Sequence, residues 1–406
     1  MKHILFLPGT KHHHPSMIRL SHLLLRILLA ASFILIFCEF LIYYFVAIHC
    51  SWPELIPQSN GEAQRLEETQ YIEPLHVMFL SDTHLLGTRR GHWFDKLRRE
   101  WQMKRAFQTA LTVANPQAVF ILGDLTDEGK WASNQEFSDT VDRFQKMFQV
   151  PEDVEFHVVV GNHDIGFHES VTRDKLRRFQ EVFEIPPVKV LTIKGINFVL
   201  VNSMAMHGDG CFMCSPAMDQ LLEASEQLNC TRFGSPSGLK EDNQEAKNTC
   251  QKYETLPNIA PILLQHYPLY RSTEAVCEGP DAPSLEEQTK KNKERYDVIS
   301  KKASQQLLSW IRPRMILSGH AHHGCYVLHP GGIPELSVPS FSWRNRNNPS
   351  LIMATITPDR LEYNKCFIPQ ESTVISVYIS FGVLMLVWVV ILIFYKCGKR
   401  FKIHGM

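Results

Sequence analysis

Hydrophobic positions along this chain fall into three kinds of run, each predicting a different element. The first kind is apolar throughout. Ile27–Ile48 is broken only by Ser32, Cys38 and Glu39, and Val374–Tyr395 carries no charge. Each run has 22 residues, about 33 Å of helix against a hydrocarbon core of roughly 30 Å, so both are expected to span a membrane. The second kind is a short apolar run closed by Gly, Asp, Asn, Gln or Ser, the pattern of a buried strand. Leu75–Leu80, Val119–Leu122, Phe156–Val160, Ile196–Val201, Ile262–Leu264 and Met315–Leu317 fit it, with Glu335–Val338 and Leu351–Ile356 as further strands. The third kind sets apolar residues at helical spacing among charges: Trp93–Val113, Asn134–Phe148, Arg173–Phe183 and Leu307–Ile311.

Strands alternating with helices predict one α/β domain over 75–367, held between the two spans. Residues 49–74 read as a polar tether and 281–295 as loop. The polar, cysteine-bearing stretch 207–258 reads as an insertion. No internal repeat interrupts this order.

Charge adds orientation. The 42 basic and 42 acidic residues cancel, which excludes a nucleic-acid partner recognised by bulk charge. Residues 1–26 carry Lys2, Lys11, Arg19 and Arg26 without an acid. Lys396, Lys399, Arg400 and Lys402 follow the second span, whereas Glu54, Glu62, Glu67, Glu68 and Glu73 follow the first. The positive-inside rule puts both tails, 1–26 and 396–406, in the cytosol and the domain across the membrane. Glu39 is a costly residue inside a span. No small-x-small cleavage site follows it, so an uncleaved anchor is expected. Lys11-His12-His13-His14 reads as part of a solvated tail.

Eight of the ten cysteines, Cys50, Cys211, Cys214, Cys230, Cys250, Cys277, Cys325 and Cys366, fall between the spans. An even number in an oxidising space predicts disulfides whose connectivity the sequence leaves open. Cys211-x-x-Cys214 has the form of a redox pair or half a zinc site, but no second CxxC follows. Asn229-Cys230-Thr231 is a glycosylation sequon in agreement with that side of the membrane.

Five strand ends deliver side chains that bind hard or borderline metals: Asp82 with His84, Asp124, Asn162 with His163, His266, and His320 with His322. Carboxylate, amide oxygen and imidazole together suit divalent Mn, Fe or Zn. The blocks Asp82/His84, Gly123-Asp124-Leu125-Thr126-Asp127, Gly161-Asn162-His163-Asp164, His266 and Gly319-His320-Ala321-His322 resemble, in order, those of the calcineurin-like metallophosphoesterase superfamily. The resemblance implies a four-layer αββα sandwich with two metals at the strand ends. It implies Asp82, His84 and His322 on one ion, Asn162, His266 and His320 on the other, and Asp124 bridging both. His163 would be catalytic, contacting the phosphate or leaving oxygen, with Asp164 orienting its imidazole and Asp127 in a supporting place. The expected consequence is phosphoester hydrolysis.

The phosphoprotein phosphatases of the superfamily continue the second block with Arg-Gly, where this chain has Glu128-Gly129. A narrower resemblance, to GPI-remodelling members, rests on 79–87 (FLSDTHLLG), 97–103 (LRREWQM), 123–131 (GDLTDEGKW), 161–168 (GNHDIGFH) and 334–350 (PELSVPSFSWRNRNNPS). It implies two Mn2+ ions and a phosphodiesterase that removes ethanolamine phosphate from the second mannose of the GPI glycan. It also implies GPI-anchored proteins as substrates, contact with the lipid bilayer, export cargo receptors downstream, and a place in the endoplasmic reticulum, its exit sites, the intermediate compartment and the cis-Golgi. Arg344 and Arg346, in a polar loop, are candidate phosphate ligands or a structurally paired loop. The rival readings are a phosphomonoesterase or protein phosphatase of the same fold, and a GPI-binding receptor without catalysis. No ligand residue is missing, which argues against the receptor.

Overall fold

The computed structural model describes residues 15–55, 73–236 and 248–404, with backbone alone for 15–20 and 396–404. Most of the expected tether, the residues before Pro15 and the centre of the expected insertion lie outside these ranges. The strands are β1 (Leu75–Leu80), β2 (Ala118–Leu122), β3 (Glu155–Val159), β4 (Val188–Ile193), β5 (Ile196–Val201), β6 (Ile262–Gln265), β7 (Met315–Ser318), β8 (Cys325–His329), β9 (Ile333–Ser337), β10 (Ser350–Ile356) and β11 (Leu361–Phe367). They form two sheets, ordered β11-β10-β1-β2-β3 and β4-β5-β6-β7-β9-β8. Strands β1, β2 and β3 run parallel, as do β5, β6, β7 and β9. Their carboxyl ends are where ligands of such sheets gather.

The sheets face one another across rings: Phe120 of β2 lies 4.9 Å from Phe198 of β5 and 5.5 Å from Phe79 of β1. All three are fully buried, so β1, β2 and β5 are apolar on both faces, as the continuous runs require. Helices cover the outer faces. Helices α3 (Trp93–Ala114) and α4 (Asn134–Met147) flank the first sheet, joined where Gln108 donates to the Met147 carbonyl at 3.1 Å. A capping box, Ser133 with Glu136, starts α4. Helices α7 (Cys214–Phe233) and α9 (Lys301–Ile311) flank the second sheet, joined where Ser225 donates to the Trp310 carbonyl at 3.0 Å. Between them in sequence come two single-turn helices, α5 (Asn162–Ile165) and α8 (Leu285–Gln288), and α6 (Arg173–Phe183). This is the four-layer αββα sandwich.

Three strands were not among those expected: β4, β8 and β11. All three are sheet edges, and most of their side chains are half-buried or exposed. Helix α7 corrects the reading of 207–258 as wholly polar insertion. Ala217, Leu221, Ala224 and Leu228 make a buried stripe at helical spacing on it. Asn229 is buried on the same helix and its amide donates to the Ser225 carbonyl at 2.8 Å, so the sequon is not presented at the surface of the folded domain.

The start of the tether is likewise part of the domain. Trp52 stacks on His76 at 4.5 Å and donates its indole N–H to the Ala114 carbonyl at 2.8 Å. Cys50 is bonded to Cys366 of β11. The other bridges are Cys211–Cys214, Cys230–Cys250 and Cys277–Cys325, so all eight cysteines between the apolar helices are paired.

The apolar terminal helices form a second unit, described by itself. One is α1 (Pro15–Ile36), which passes through a π-helical turn at Phe37–Leu41 into α2 (Ile42–Ala47). The other is α10 (Glu371–His404). Ser21–Ala47 and Glu371–Tyr395 are long and apolar enough to cross a membrane. Glu39 sits in the π turn, and its carboxylate accepts a 2.5 Å hydrogen bond from the Tyr378 hydroxyl of α10. The one acid in the apolar run is therefore hydrogen-bonded by the other helix.

Candidate metal centre

The motif residues stand on turns just beyond β1, β2, β3, β6 and β7, and the two sheets bring them together. Asp82, His84, Asp124, His320 and His322 all have positive φ, between 45° and 66°. Half of the ten non-glycine residues with positive φ among those described are therefore candidate ligands. That conformation is unfavourable for residues with a Cβ and is held only where surrounding structure imposes it. Two glycines make the convergence possible. Gly123 has φ +89°, and a Cβ on it would meet the His266 imidazole at 2.5 Å. A Cβ on Gly319 would collide with Ser81 and approach the Leu122 carbonyl at 2.8 Å.

Two ligand clusters share one carboxylate. In the first, His84 Nε2 lies 3.4 Å from Asp124 Oδ2, 3.7 Å from Asp82 Oδ1 and 3.0 Å from His322 Nε2; His322 Nε2 lies 3.6 Å from Asp82 Oδ1. In the second, His266 Nε2 lies 3.4 Å from Asp124 Oδ1 and 3.0 Å from Asn162 Oδ1, and His320 joins with its ring centroid 5.1 Å from that of His266. Asp124 thus turns one oxygen to each cluster.

A pair of divalent ions, which this fold family implies, fits these residues. Asp82 Oδ1 is buried and has no hydrogen-bond donor, although Oδ2 accepts from the Ser81 hydroxyl at 2.6 Å and the His320 N–H at 3.0 Å. A buried carboxylate oxygen left without a donor costs stability unless a cation answers it. The imidazoles are set to offer lone pairs as well. His84 Nδ1 bonds Asp127 Oδ1 at 3.1 Å, His266 Nδ1 bonds the Leu122 carbonyl at 2.8 Å, and His320 Nε2 bonds the Tyr296 carbonyl at 2.8 Å. Each contact fixes a tautomer and leaves the other nitrogen for metal. Burial opposes charge on His84, but the Asp127, Asp82 and Asp124 carboxylates outweigh it and lift its pKa to about 10. Burial is likewise outweighed at His266 by Asp124 and Asp82, to about 9. Cations entering here displace protons, as metal binding to histidine requires.

His163 lies beside both clusters without sharing in Asp124's pairings through its ring; its backbone N–H donates to Asp124 Oδ1 at 2.7 Å. Its imidazole is not oriented by Asp164, contrary to the sequence expectation. Asp164 Oδ1 accepts from the N–H and hydroxyl of Thr126 at 2.9 and 3.1 Å, and Oδ2 accepts from the Gly161 N–H at 2.9 Å. Asp164 ties the turn after β2 to the turn after β3, and burial with the nearby Asp124 charge pushes its pKa up to about 6. The His163 ring is held instead by Asp127, whose carbonyl lies 3.0 Å and Oδ1 3.3 Å from Nδ1.

Lys130 was not singled out by the sequence. Its ammonium lies 3.2 Å from each nitrogen of the His163 ring and faces the rings of Trp131 and Phe167. Desolvation lowers its pKa. Phe167 in turn stacks on Tyr296 at 4.8 Å. Only the short spacing between Asp127 and Lys130 hinted at this role. Nothing in the sequence marks Tyr296, which acts through a backbone carbonyl that every residue possesses. Glu128 is buried and accepts the N–H groups of Arg89 and Arg90 at 2.9 and 2.7 Å, so it organises the loop after β1.

Both loop arginines come to the site and both are paired. Arg344 Nη2 lies 3.4 Å from Asp127 Oδ2, and Arg346 Nη1 donates to the His322 carbonyl at 3.4 Å. Arg346, His322, His323 and Asn345 line a cleft of about 340 Å³.

Residues 75–324 match the family profile described as calcineurin-like phosphoesterase. Among curated proteins, metallophosphoesterase 1 of Gallus gallus is 53% identical over 366 residues, covering 90% of this chain and 89% of that protein. Metallophosphoesterase 1 of Danio rerio is 51% identical over 347 residues, 86% of each. Among solved structures, a dimetal phosphatase from Danio rerio aligns with a TM-score of 0.42 at 12% identity, over 73% of this chain and all of that one.

Proposed function

This chain belongs to the calcineurin-like phosphoesterase family, a metal-dependent phosphoester hydrolase, and from that premise we propose a substrate and a setting for it. It is a membrane-held phosphodiesterase that uses two Mn2+ ions and removes ethanolamine phosphate from the second mannose of GPI anchors, so promoting export of GPI-anchored proteins from the endoplasmic reticulum. The observation that carries hydrolysis is the pair of clusters sharing Asp124. The substrate rests on the resemblance to GPI-remodelling proteins, in keeping with half identity to metallophosphoesterase 1 proteins over nearly the whole chain. Two apolar helices flanking the domain suit a substrate whose glycan lies at a membrane surface, since tethering raises the effective concentration of one for the other. In this setting both termini are cytosolic, the domain is lumenal, and GPI-anchored proteins and their cargo receptors are its partners.

When bound, the ions supply Lewis-acid charge for the phosphoryl oxygens and lower the pKa of water from 15.7 toward roughly 7. The protein's residues do the rest. Asp82, His84 and His322 would hold one ion, Asn162, His266 and His320 the other, and Asp124 would serve both. Asp127 sets the His84 tautomer and holds the His163 ring. His163 passes a proton to the leaving alkoxide or donates to the phosphoryl oxygens, a task that typically adds about 10²–10⁴-fold. Lys130 brings positive charge to the same side. Arg344 and Arg346 stand where further phosphates of the glycan would be met.

The test is incubation of the Mn2+-loaded protein with a GPI-glycan phosphodiester and with a generic aryl phosphodiester. Release of ethanolamine phosphate by the wild type and not by Asp124→Ala is expected. Turnover of the aryl ester alone would remove the GPI assignment while keeping the hydrolase.

A further inference from the structure

We propose that Cys211–Cys214 is a thiol–disulfide exchange site that accepts electrons from a dithiol partner, unlike the three other bridges. Cys214 is the first residue of the 20-residue helix α7, and Cys211 lies on the turn before it. Cys211 is half-buried whereas Cys214 is buried, so an incoming thiolate reaches Cys211. A cavity of about 840 Å³ opens beside the pair, lined by Gly210, Cys214 and Ser215 with His207, Met218 and Arg295.

The surroundings already provide for the reduced form. The Cys214 N–H points at Cys211 Sγ at 3.0 Å, a donor at a helix N-terminus that stabilises a thiolate. Cys214 Sγ lies 3.3 Å from Asp209 Oδ1, an acceptor for a thiol proton. Asp209 is held in turn by His168 Nε2 at 2.8 Å and by the Cys211 N–H at 3.1 Å. A pair whose reduced state is stabilised in this way is the more readily reduced.

Chain topology points the same way. The four bridges close sequence separations of 316, 48, 20 and 3 residues. Constraint of the unfolded chain grows with the loop closed, so opening Cys211–Cys214 surrenders the least. In the exchange, a partner thiolate attacks Cys211 Sγ and the Cys211–Cys214 bond breaks. Cys214 leaves with the electron pair and takes one proton. The partner's second thiolate then attacks its own sulfur in the mixed disulfide and releases Cys211 as thiolate. The pair gains two electrons and one proton, the second proton goes to solvent, and the partner dithiol becomes a disulfide.

The full-length protein in detergent is equilibrated with graded mixtures of glutathione and its disulfide, alkylated, and mapped by peptide mass spectrometry. Cys211 and Cys214 are expected to alkylate together under conditions that leave the other three bridges closed. Reduction together with the others, or after them, overturns the proposal. Asp209→Ala should move the ratio of reduced to oxidised pair about tenfold toward oxidised at a fixed mixture. An unchanged ratio would mean that Asp209 does not stabilise the reduced form and would also overturn it.

Discussion

Asp127 does more than a supporting residue would. One carboxylate orients His84 toward the first cluster, contacts His163 and pairs with Arg344. Removing it frees the His84 tautomer, and loss of such a partner typically costs 10–100-fold in metal affinity. Asp127→Ala is therefore expected to weaken one ion by about that factor, read by metal titration; affinity equal to wild type would put Asp127 outside the centre. His163→Ala should behave oppositely. Its ring lies outside both ion clusters, so both ions are retained in metal analysis while turnover falls by about 10²–10⁴-fold. Loss of an ion in that variant would reassign His163 as a ligand.

At the scale of elements, the centre depends on how closely the strand ends approach. Gly319 follows β7 with Ser81 and the Leu122 carbonyl against it. Gly319→Ala has to push β7 away from β1 and β2, which should destabilise the domain by about 1–3 kcal/mol, as overpacking does, and lower activity further by misplacing His320 and His322. Wild-type activity with wild-type Tm would show that the turn relaxes freely. The terminal helices carry a second such contact. Tyr378→Phe leaves the Glu39 carboxylate without its hydroxyl donor, a cost that apolar surroundings increase. The expected result is a lower unfolding temperature in detergent, with phosphoester hydrolysis per folded molecule unchanged.

Across the whole molecule, Cys50–Cys366 closes a separation of 316 residues and joins the segment entering the domain to its last strand. A bridge closing so long a loop falls in the range where removal costs about 2–5 kcal/mol. The double variant Cys50→Ser, Cys366→Ser should show a drop of that size in denaturant unfolding. A smaller change would mean that Trp52 stacking on His76 anchors the entry segment by itself.

The hydrophobic pattern announced the interior strands because β1, β2, β5 and β6 are covered on both faces and are apolar at all positions but His76, Asn197 and Gln265. It missed β4, β8 and β11, in which most side chains are half-buried or exposed. It announced the candidate ligands because metal chemistry restricts which side chains serve, so Asp82, His84, Asp124, Asn162, His266, His320 and His322, which the fold brings together, were legible as a set. It assigned Asp164 to His163, whereas only the folded chain shows Asp127 and Lys130 there. The sequence by itself determined which side chains are present and that they follow strands, since burial and ligand chemistry act on residue type. Only the tertiary structure decided which oxygen of Asp124 faces which cluster, which carbonyl holds His320, and which cysteines pair. Those outcomes depend on distances between segments far apart in the chain, and backbone groups and positive φ angles leave no mark in residue type.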